Sequence, residues 1–402
     1  MNRNRFQVQK KDVIILAFFL FIIIGFTYVW TSYHQKIKRE WYTFQIPLIK
    51  STIHCSKNAP TFMYELMNET VVKQKSMSNQ LVYLTSKGQM YHCESGWEDG
   101  FSGTRLITDN SRFLYASVSK TVTSAMIIDL INQGKINLNQ KLVDIISIPS
   151  PEDERINKIT IEMLLQHSAG FDRMKTFTPM LTVGKKPWCP TNIEHLSKVK
   201  LDFDPNTQFQ YSNVGYCLLG AIVEKVTGLS FKEAVERKYE IDKRGIKFIN
   251  HDFLMDEVKY DYRNEVFYGK SWRKKFDFPD SLAAVGGLSG SAKSMTLLMK
   301  DMIDELKDGQ LNMLSSTKSP CAINLSEGCY GYVFESYQAK GKNFTIYNKS
   351  GYFPGVEADI FVDDHGGILT VIRGATTPDR ESLTKFRKKV YDSLLEFYLL
   401  GR

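Results

Sequence analysis

Val13 to Trp30 is a run of 18 residues without a charge, preceded by Arg3, Arg5, Lys10 and Lys11. As a helix it is just long enough to cross a bilayer, and Tyr28 and Trp30 stand where interfacial aromatics belong. The bulky stretch Tyr28-Val29-Trp30-Thr31-Ser32-Tyr33 offers no small-residue cleavage site, so an uncleaved signal anchor is expected. Lys36, Lys38, Arg39 and Lys50 follow the span, and the charge balance alone leaves its orientation open. The expected organisation is a cytosolic tail over 1–12, a transmembrane helix over 13–30, a polar stalk over 31–60 and a globular domain over 61–402.

Within that domain the pattern changes three times. Leu81–Leu84 and Gln89–Cys93 flank Ser86-Lys87-Gly88, which predicts a hairpin. Val122, Ala125, Met126, Ile127, Ile128, Leu130 and Ile131 are apolar nearly all round, which predicts a buried helix stopped by Gly134. Helices are further predicted over Ile159–His167, Asn213–Val226 (ending at Gly228) and Ala292–Leu306. Residues 171–200 carry Pro179, Pro187 and Pro190 and read as a long loop over a site. Strands are predicted over Gly331–Glu335, Phe344–Asn348, Glu357–Val362 and Ile368–Arg373, with a turn at Asp363–Gly367. Asp379–Leu400 reads as an amphipathic helix packed on that sheet. Strands first, helices in the middle and strands last give an α+β fold: an antiparallel sheet flanked by helices plus an all-helical region.

Composition changes little in this picture. A chain of 402 residues with 24% charged and 43% hydrophobic positions has ample material for a core. The net charge of +8 is spread along the chain without a basic block interleaved with aromatics, which argues against a nucleic-acid partner. None of Cys55, Cys93, Cys189, Cys217, Cys321 and Cys329 forms C-x-x-C, so a zinc site is not expected. Cys321 and Cys329 are spaced to close a small loop, and Cys217, in an apolar helical stretch, reads as a buried free thiol. Asn68, Asn324, Asn343 and Asn348 are glycosylation sequons, relevant only in a eukaryotic secretory compartment.

The chemistry begins at Ser117-Val118-Ser119-Lys120. On a helix, positions three apart share a face, which brings the Lys120 amine to the Ser117 hydroxyl. A serine is activated when an adjacent base takes its proton, and a desolvated lysine serves as that base. The S-x-x-K spacing also occurs at Ser197/Lys200, Ser271/Lys274, Ser315/Lys318 and Ser382/Lys385, but only the Ser117 copy opens a buried helix. Tyr211-Ser212-Asn213 adds a phenol that shuttles protons if nearby cations lower its pKa, and an amide to orient a lysine or a carbonyl. Tyr262-Arg263-Asn264 repeats that shape and reads as surface. Lys349-Ser350-Gly351, at a predicted strand end, adds a cation for a carboxylate and small residues that admit substrate to backbone N–H groups.

In this order S-x-x-K, Y-x-N and K-[ST]-G resemble the penicillin-recognising serine enzymes. Ala116 to Thr121, Ile159 to Gly170, Pro205 to Gly220 and Val285 to Ala292 extend the likeness. The chain, from about residue 62 onward, is identified as resembling the class C β-lactamase and D-alanyl-D-alanine carboxypeptidase family of serine hydrolases. The resemblance implies Ser117 as nucleophile, Lys120 and Tyr211 sharing base and acid duties, and Asn213 positioning Lys120 and substrate. Lys349 and Ser350 would bind a substrate carboxylate or tune Tyr211, beside Gly351, with the N–H groups of Ser117 and Tyr352 as oxyanion hole. It implies no metal and no cofactor, and a structural His167. Lys349, where many esterase-like relatives carry histidine or tryptophan, points to substrates with a carboxylate, such as peptides or β-lactams. Asn206 replaces the usual glycine, and the Phe171–Leu201 loop matches poorly. The expected function is an anchored hydrolase of a peptide, amide or ester outside the cytosol, on the periplasmic face of the inner membrane if bacterial. A penicillin-binding sensor or a non-catalytic scaffold on the same fold are the alternatives.

Overall fold

The computed structural model describes residues 9–175, 186–250, 253–258, 278–317, 320, 329–353, 355–375 and 380–400. The chain divides into two units, Met1–Pro47 and Leu48–Arg402. Helix α1 runs over Lys10–Ser51, and its Lys10–His34 part, 25 residues, is long and apolar enough to cross a membrane. The expected stalk over 31–60 is therefore helical as far as Ser51. The segment after it belongs to the fold, because strand β1 (His54–Cys55) pairs with β3 (Met90–Gly96) and Cys55 is disulfide-bonded to Cys93.

In the second unit, α2 (Thr61–Val72) and β2 (Ser78–Leu84) precede β3. Then come β4 (Phe113–Leu114), α3 (Lys120–Asn132), α4 (Ile161–Leu165), α5 (Asn213–Thr227), α6 (Phe231–Tyr239), β5 (Lys247–Phe248), β6 (Leu288–Gly290) and α7 (Ala292–Leu306). The chain returns through β7 (Glu335–Gln338), β8 (Thr345–Phe353), β9 (Val356–Asp363), β10 (Ile368–Arg373) and α8 (Arg380–Leu399). Among the described residues the main sheet has the order β1-β3-β2-β10-β9-β8-β7, with β4-β6-β5 as a second, smaller sheet. All its named pairs are antiparallel, and β10 joins the two chain ends by pairing with β2 (Val371 opposite Leu81).

Alternation along these strands explains the layers. Val82, Leu84, Ile360, Val362, Ile368 and Ile372 face one core with Met295, Leu298 and Met302 of α7. Leu81, Tyr83, Phe361, Leu369 and Val371 face the other with Met63, Leu66 and Met67 of α2. Helix α8 meets that second face with Phe386, Val390 and Leu394, one helical turn apart, as the amphipathic reading required.

Three expectations need correction. The strand expected at Gly331–Glu335 starts only at Glu335, because Gly331 N–H turns back to the Phe334 carbonyl at 2.7 Å. The helix expected over Ile159–His167 shrinks to Ile161–Leu165, capped by Thr160 and broken where His167 takes φ 56°. Cys217 is buried but not free: it bonds Cys189, tying the 186–200 segment to α5. The expected Cys321–Cys329 loop and Tyr262-Arg263-Asn264 involve residues outside those described.

Candidate active site

Ser117 does not sit on the regular helix that the S-x-x-K spacing suggested. It lies on a 3-10 turn, Ala116–Ser119, and α3 begins at Lys120. Ala116 enters that turn at φ 47°, a left-handed conformation that costs a non-glycine residue about 1 kcal/mol. Such strain is held by its surroundings. Here Tyr115 N–H bonds the Leu288 carbonyl at 2.9 Å, the Tyr115 hydroxyl bonds the Ser291 carbonyl at 2.7 Å, and Leu288 N–H bonds Ser119 Oγ at 3.1 Å. The result is a serine that stays partly exposed while its neighbours are buried.

Lys120 is fully buried, with its Nζ 2.7 Å from the Val285 carbonyl, 2.8 Å from Asn213 Oδ1 and 3.1 Å from Ser117 Oγ. The first two partners are acceptors only and take two N–H bonds. Burial drives Lys120 well below the ordinary lysine value, and the charges of Lys349 and Arg173 add to this. In the neutral amine the remaining tetrahedral position is the lone pair, and it faces the Ser117 hydroxyl.

Tyr211 precedes α5, whose cap is Ser212, with its side chain accepting from Val214 N–H. The Tyr211 hydroxyl donates to Ser117 Oγ at 2.8 Å. The condition set for this phenol, a pKa lowered by nearby cations, is not met overall. Burial raises it, and the bond to Ser117 and the charge of Arg173 only partly oppose that. The phenol therefore keeps its proton and offers it to Oγ. One hydroxyl thus has an amine on one side and a phenol on the other. His167 lies behind Tyr211, with ring centroids 4.4 Å apart, and accepts from Ser212 N–H at 3.2 Å. Burial, then Lys349 and Lys120, hold it neutral, consistent with a supporting role.

Lys349 is in the middle of β8, not at its end, and is 3% exposed. Its Nζ bonds the Tyr330 hydroxyl at 2.7 Å and lies 5.1 Å from the Tyr211 ring centroid. Ser350, expected beside it on the substrate, points to the opposite side of the sheet, as strand alternation demands. There it bonds Asp359 and accepts from Arg387 at 2.7 Å, next to the buried Arg373–Asp359 pair. Asn348, on the same side, is buried and bonds the Ile360 carbonyl, which leaves its sequon no room for a glycan. Gly351 returns to the site side: a Cβ there would lie 2.8 Å from Ser117 N and 2.3 Å from the Tyr115 carbonyl. The Tyr352 side chain is 53% exposed. Sequence motifs did not single out Tyr330 or Arg173, and Val285 entered only through the likeness of the Val285–Ala292 turn; all three reach the site through tertiary proximity.

Burial lowers the Lys349 pKa from 10.5 to about 7, Glu335 partly opposing and Arg387 assisting. Between those values the unfolded chain holds a proton that the folded chain lacks, so stability rises with pH across this window. Below about pH 7 the cost of burying the charge is imposed in full. Lys349→Met is thus expected to stabilise the fold by a few kcal/mol at pH 6 and by clearly less at pH 9. Denaturant melts at the two pH values check this; an equal effect at both contradicts it.

Comparison with known proteins gives a consistent result. A family model described as Beta-lactamase matches residues 69–380. The "Probable fimbrial assembly protein FimD, serogroup H1" of Dichelobacter nodosus is 46% identical over 387 residues, 96% of this chain and 97% of that one. A "Putative D-alanyl-D-alanine carboxypeptidase" of Salmonella heidelberg is 27% identical over 154 residues, 35% of this chain and 36% of that protein. Among solved structures, D-amino acid amidase from Ochrobactrum anthropi SV3 superposes with a TM-score of 0.64 at 17% identity, covering 84% of this chain and 100% of the amidase. With a matched family model over most of its length and an antiparallel sheet flanked by helices, the chain belongs to the beta-lactamase family.

Proposed function

We propose that this protein is a membrane-anchored serine hydrolase, of the class C β-lactamase-related type, that cleaves a peptide, amide or ester bond through an acyl-enzyme. The observation that carries the reading is the convergence of Lys120 Nζ (3.1 Å) and Tyr211 Oη (2.8 Å) on Ser117 Oγ. In the proposed sequence, neutral Lys120 takes the Ser117 proton as Oγ attacks the substrate carbonyl carbon. The oxyanion forms against the N–H groups of Ser117 and Tyr352. The Tyr211 phenol protonates the leaving nitrogen or oxygen as its bond to carbon breaks, and the Lys120 ammonium returns a proton to Tyr211. In deacylation Tyr211 passes its proton to Lys120 as it takes one from the attacking water, and the Lys120 ammonium protonates Ser117 Oγ as the acyl bond breaks. Asn213 and the Val285 carbonyl hold Lys120, and Lys349 faces the Tyr211 ring. Gly351 lets β8 approach the nucleophile. Helix α1 serves as an uncleaved anchor, with the catalytic unit outside the cytosol.

The full chain in detergent, treated with a fluorescent fluorophosphonate and a fluorescent penicillin beside Ser117→Ala, tests this. A hydrolase label appears only with Ser117 present, and the penicillin label decays with turnover. Permanent penicillin labelling favours a sensor. The second reading is a non-catalytic scaffold on the same fold, which the fimbrial assembly name of the 46% identical relative neither requires nor excludes; absence of any Ser117-dependent label favours it.

A further inference from the structure

The buried position of Lys349 leaves open which group receives a substrate carboxylate. Lys349 is 3% exposed and its amine is bonded to Tyr330, so reaching it means breaking that bond and desolvating the carboxylate. A second cation stands on the open side. Arg173 is exposed, and its guanidinium carbon lies 5.6 Å from the Tyr211 ring centroid. The hydroxyl of that ring donates to Ser117 Oγ, so the guanidinium is one aromatic ring away from the nucleophile.

The backbone that carries Arg173 is fixed. Asp172 N–H bonds Asp202 Oδ2 at 2.8 Å, and Asp202 N–H bonds the Gly170 carbonyl at 2.8 Å. Met174 N–H bonds Asp172 Oδ1 at 2.9 Å, and Lys175 N–H closes the turn on the Asp172 carbonyl at 3.1 Å. Phe171 anchors the segment in the core. Residue 173 thus projects from a pinned turn, and stacking on Tyr211 restrains its head group. Among the described residues no carboxylate is paired with it. Its two-pronged donor face matches a carboxylate.

We propose that Arg173 is the receptor for a carboxylate on the substrate, placed on the leaving-group side of the scissile bond. The assignment rests on the hydrolase reading above and narrows it: the substrate is a small peptide-like acyl compound that ends in a free acid. Lys349 then acts as a positioning residue for Tyr211 and Tyr330, and specificity resides in the turn after Gly170.

The test compares an N-acylated D-alanyl thioglycolate with its methyl ester, two thioesters with the same scissile bond that differ only in the carboxylate. The full chain is expected to favour the acid. Arg173→Gln is expected to reduce the acid-to-ester ratio of kcat/KM about 30-fold, with KM for the acid rising most, and Arg173→Lys to restore part of it. A ratio that does not move in Arg173→Gln, or an unsubstituted chain that prefers the ester, overturns the assignment. So does a loss of both substrates in equal proportion, which marks a structural role. Fluorophosphonate labelling of Ser117 without turnover of either thioester overturns the Arg173 assignment and leaves the hydrolase reading standing. Absence of both labelling and turnover overturns the hydrolase reading, and this assignment with it.

Discussion

Replacing Lys120 by methionine is expected to lower kcat/KM on an activated ester by about 1,000-fold, while the chain stays folded. Methionine fills nearly the same volume without a charge. Two effects on stability then oppose each other. The fully buried amine no longer has to be desolvated, which stabilises. The Val285 carbonyl and Asn213 Oδ1 lose their donor, which costs about 1–3 kcal/mol for a group left buried and unpaired. These nearly cancel, so the melting temperature changes little and the activity loss cannot be assigned to unfolding. The chemical loss does not cancel, because among the described residues no other group within hydrogen-bond reach of Ser117 Oγ accepts a proton: Tyr211 is held as a phenol by burial. The pH profile follows from the same cause. Burial lowers the Lys120 pKa far below 10.5, so the ascending limb of the unsubstituted chain lies well below that value, and Lys120→Met has no such limb. Stopped-flow hydrolysis from pH 5 to 10 with melts in parallel reads both. A methionine variant that keeps a tenth of the activity removes Lys120 from the proton-transfer step.

The sequence made the site legible where chemistry and local spacing coincide. Ser117 and Lys120 are three apart and contiguous with an apolar run, so their proximity follows from almost any helical geometry, even though the turn proved to be 3-10. Tyr211 and Asn213 were readable as a Y-x-N triplet standing in order between S-x-x-K and K-[ST]-G, and the structure shows Ser212 capping α5 between them. That strands from both ends of the chain form one antiparallel sheet was readable from their placement around the helices, though the order of the strands was not. Ser350 was misplaced because Lys349-Ser350-Gly351 was read as a unit, although a strand sends its middle residue to the opposite face. Helix α6 carried a legible sign, the Ser230/Glu233 capping box, that went unused. Cys189–Cys217, the Val285 carbonyl and the Tyr330 hydroxyl were not legible at all. Each comes from a distant or irregular segment whose position depends on the assembled fold. The same holds for Arg173, in the loop that least resembles the family.

Gly351→Ala is expected to cost about 100-fold or more in kcat/KM, out of proportion to the single methyl group it adds. Gly351 does not adopt a left-handed φ, so its conformation makes no demand for glycine. The demand is for space. A Cβ at 351 would lie 2.3 Å from the Tyr115 carbonyl, 2.8 Å from Ser117 N and 2.9 Å from Val118 N. All three are backbone atoms of the nucleophile turn, so no side chain can swing away. The turn itself cannot easily yield, since Tyr115 N–H is bonded to Leu288 and Val118 N–H closes on the Tyr115 carbonyl at 3.0 Å. Nor can β8, which is paired with β9 through Gly351↔Ala358 and with β7 further along. The clash is relieved only by moving strand and turn apart by roughly 1 Å, at the place where the substrate carbonyl would lie between them. A misplacement of that size costs about 100-fold in rate, and the overpacking costs about 1–3 kcal/mol in stability. Gly88→Ala supplies the contrast. Gly88 has φ 81° in the β2–β3 hairpin with open space where a Cβ would go, so that change strains the turn far from the site and leaves kcat/KM unmoved. Steady-state kinetics and denaturant melts on the two alanine variants separate the effects. Near-normal kinetics in Gly351→Ala would mean that the nucleophile turn and β8 do not jointly frame the reacting carbonyl.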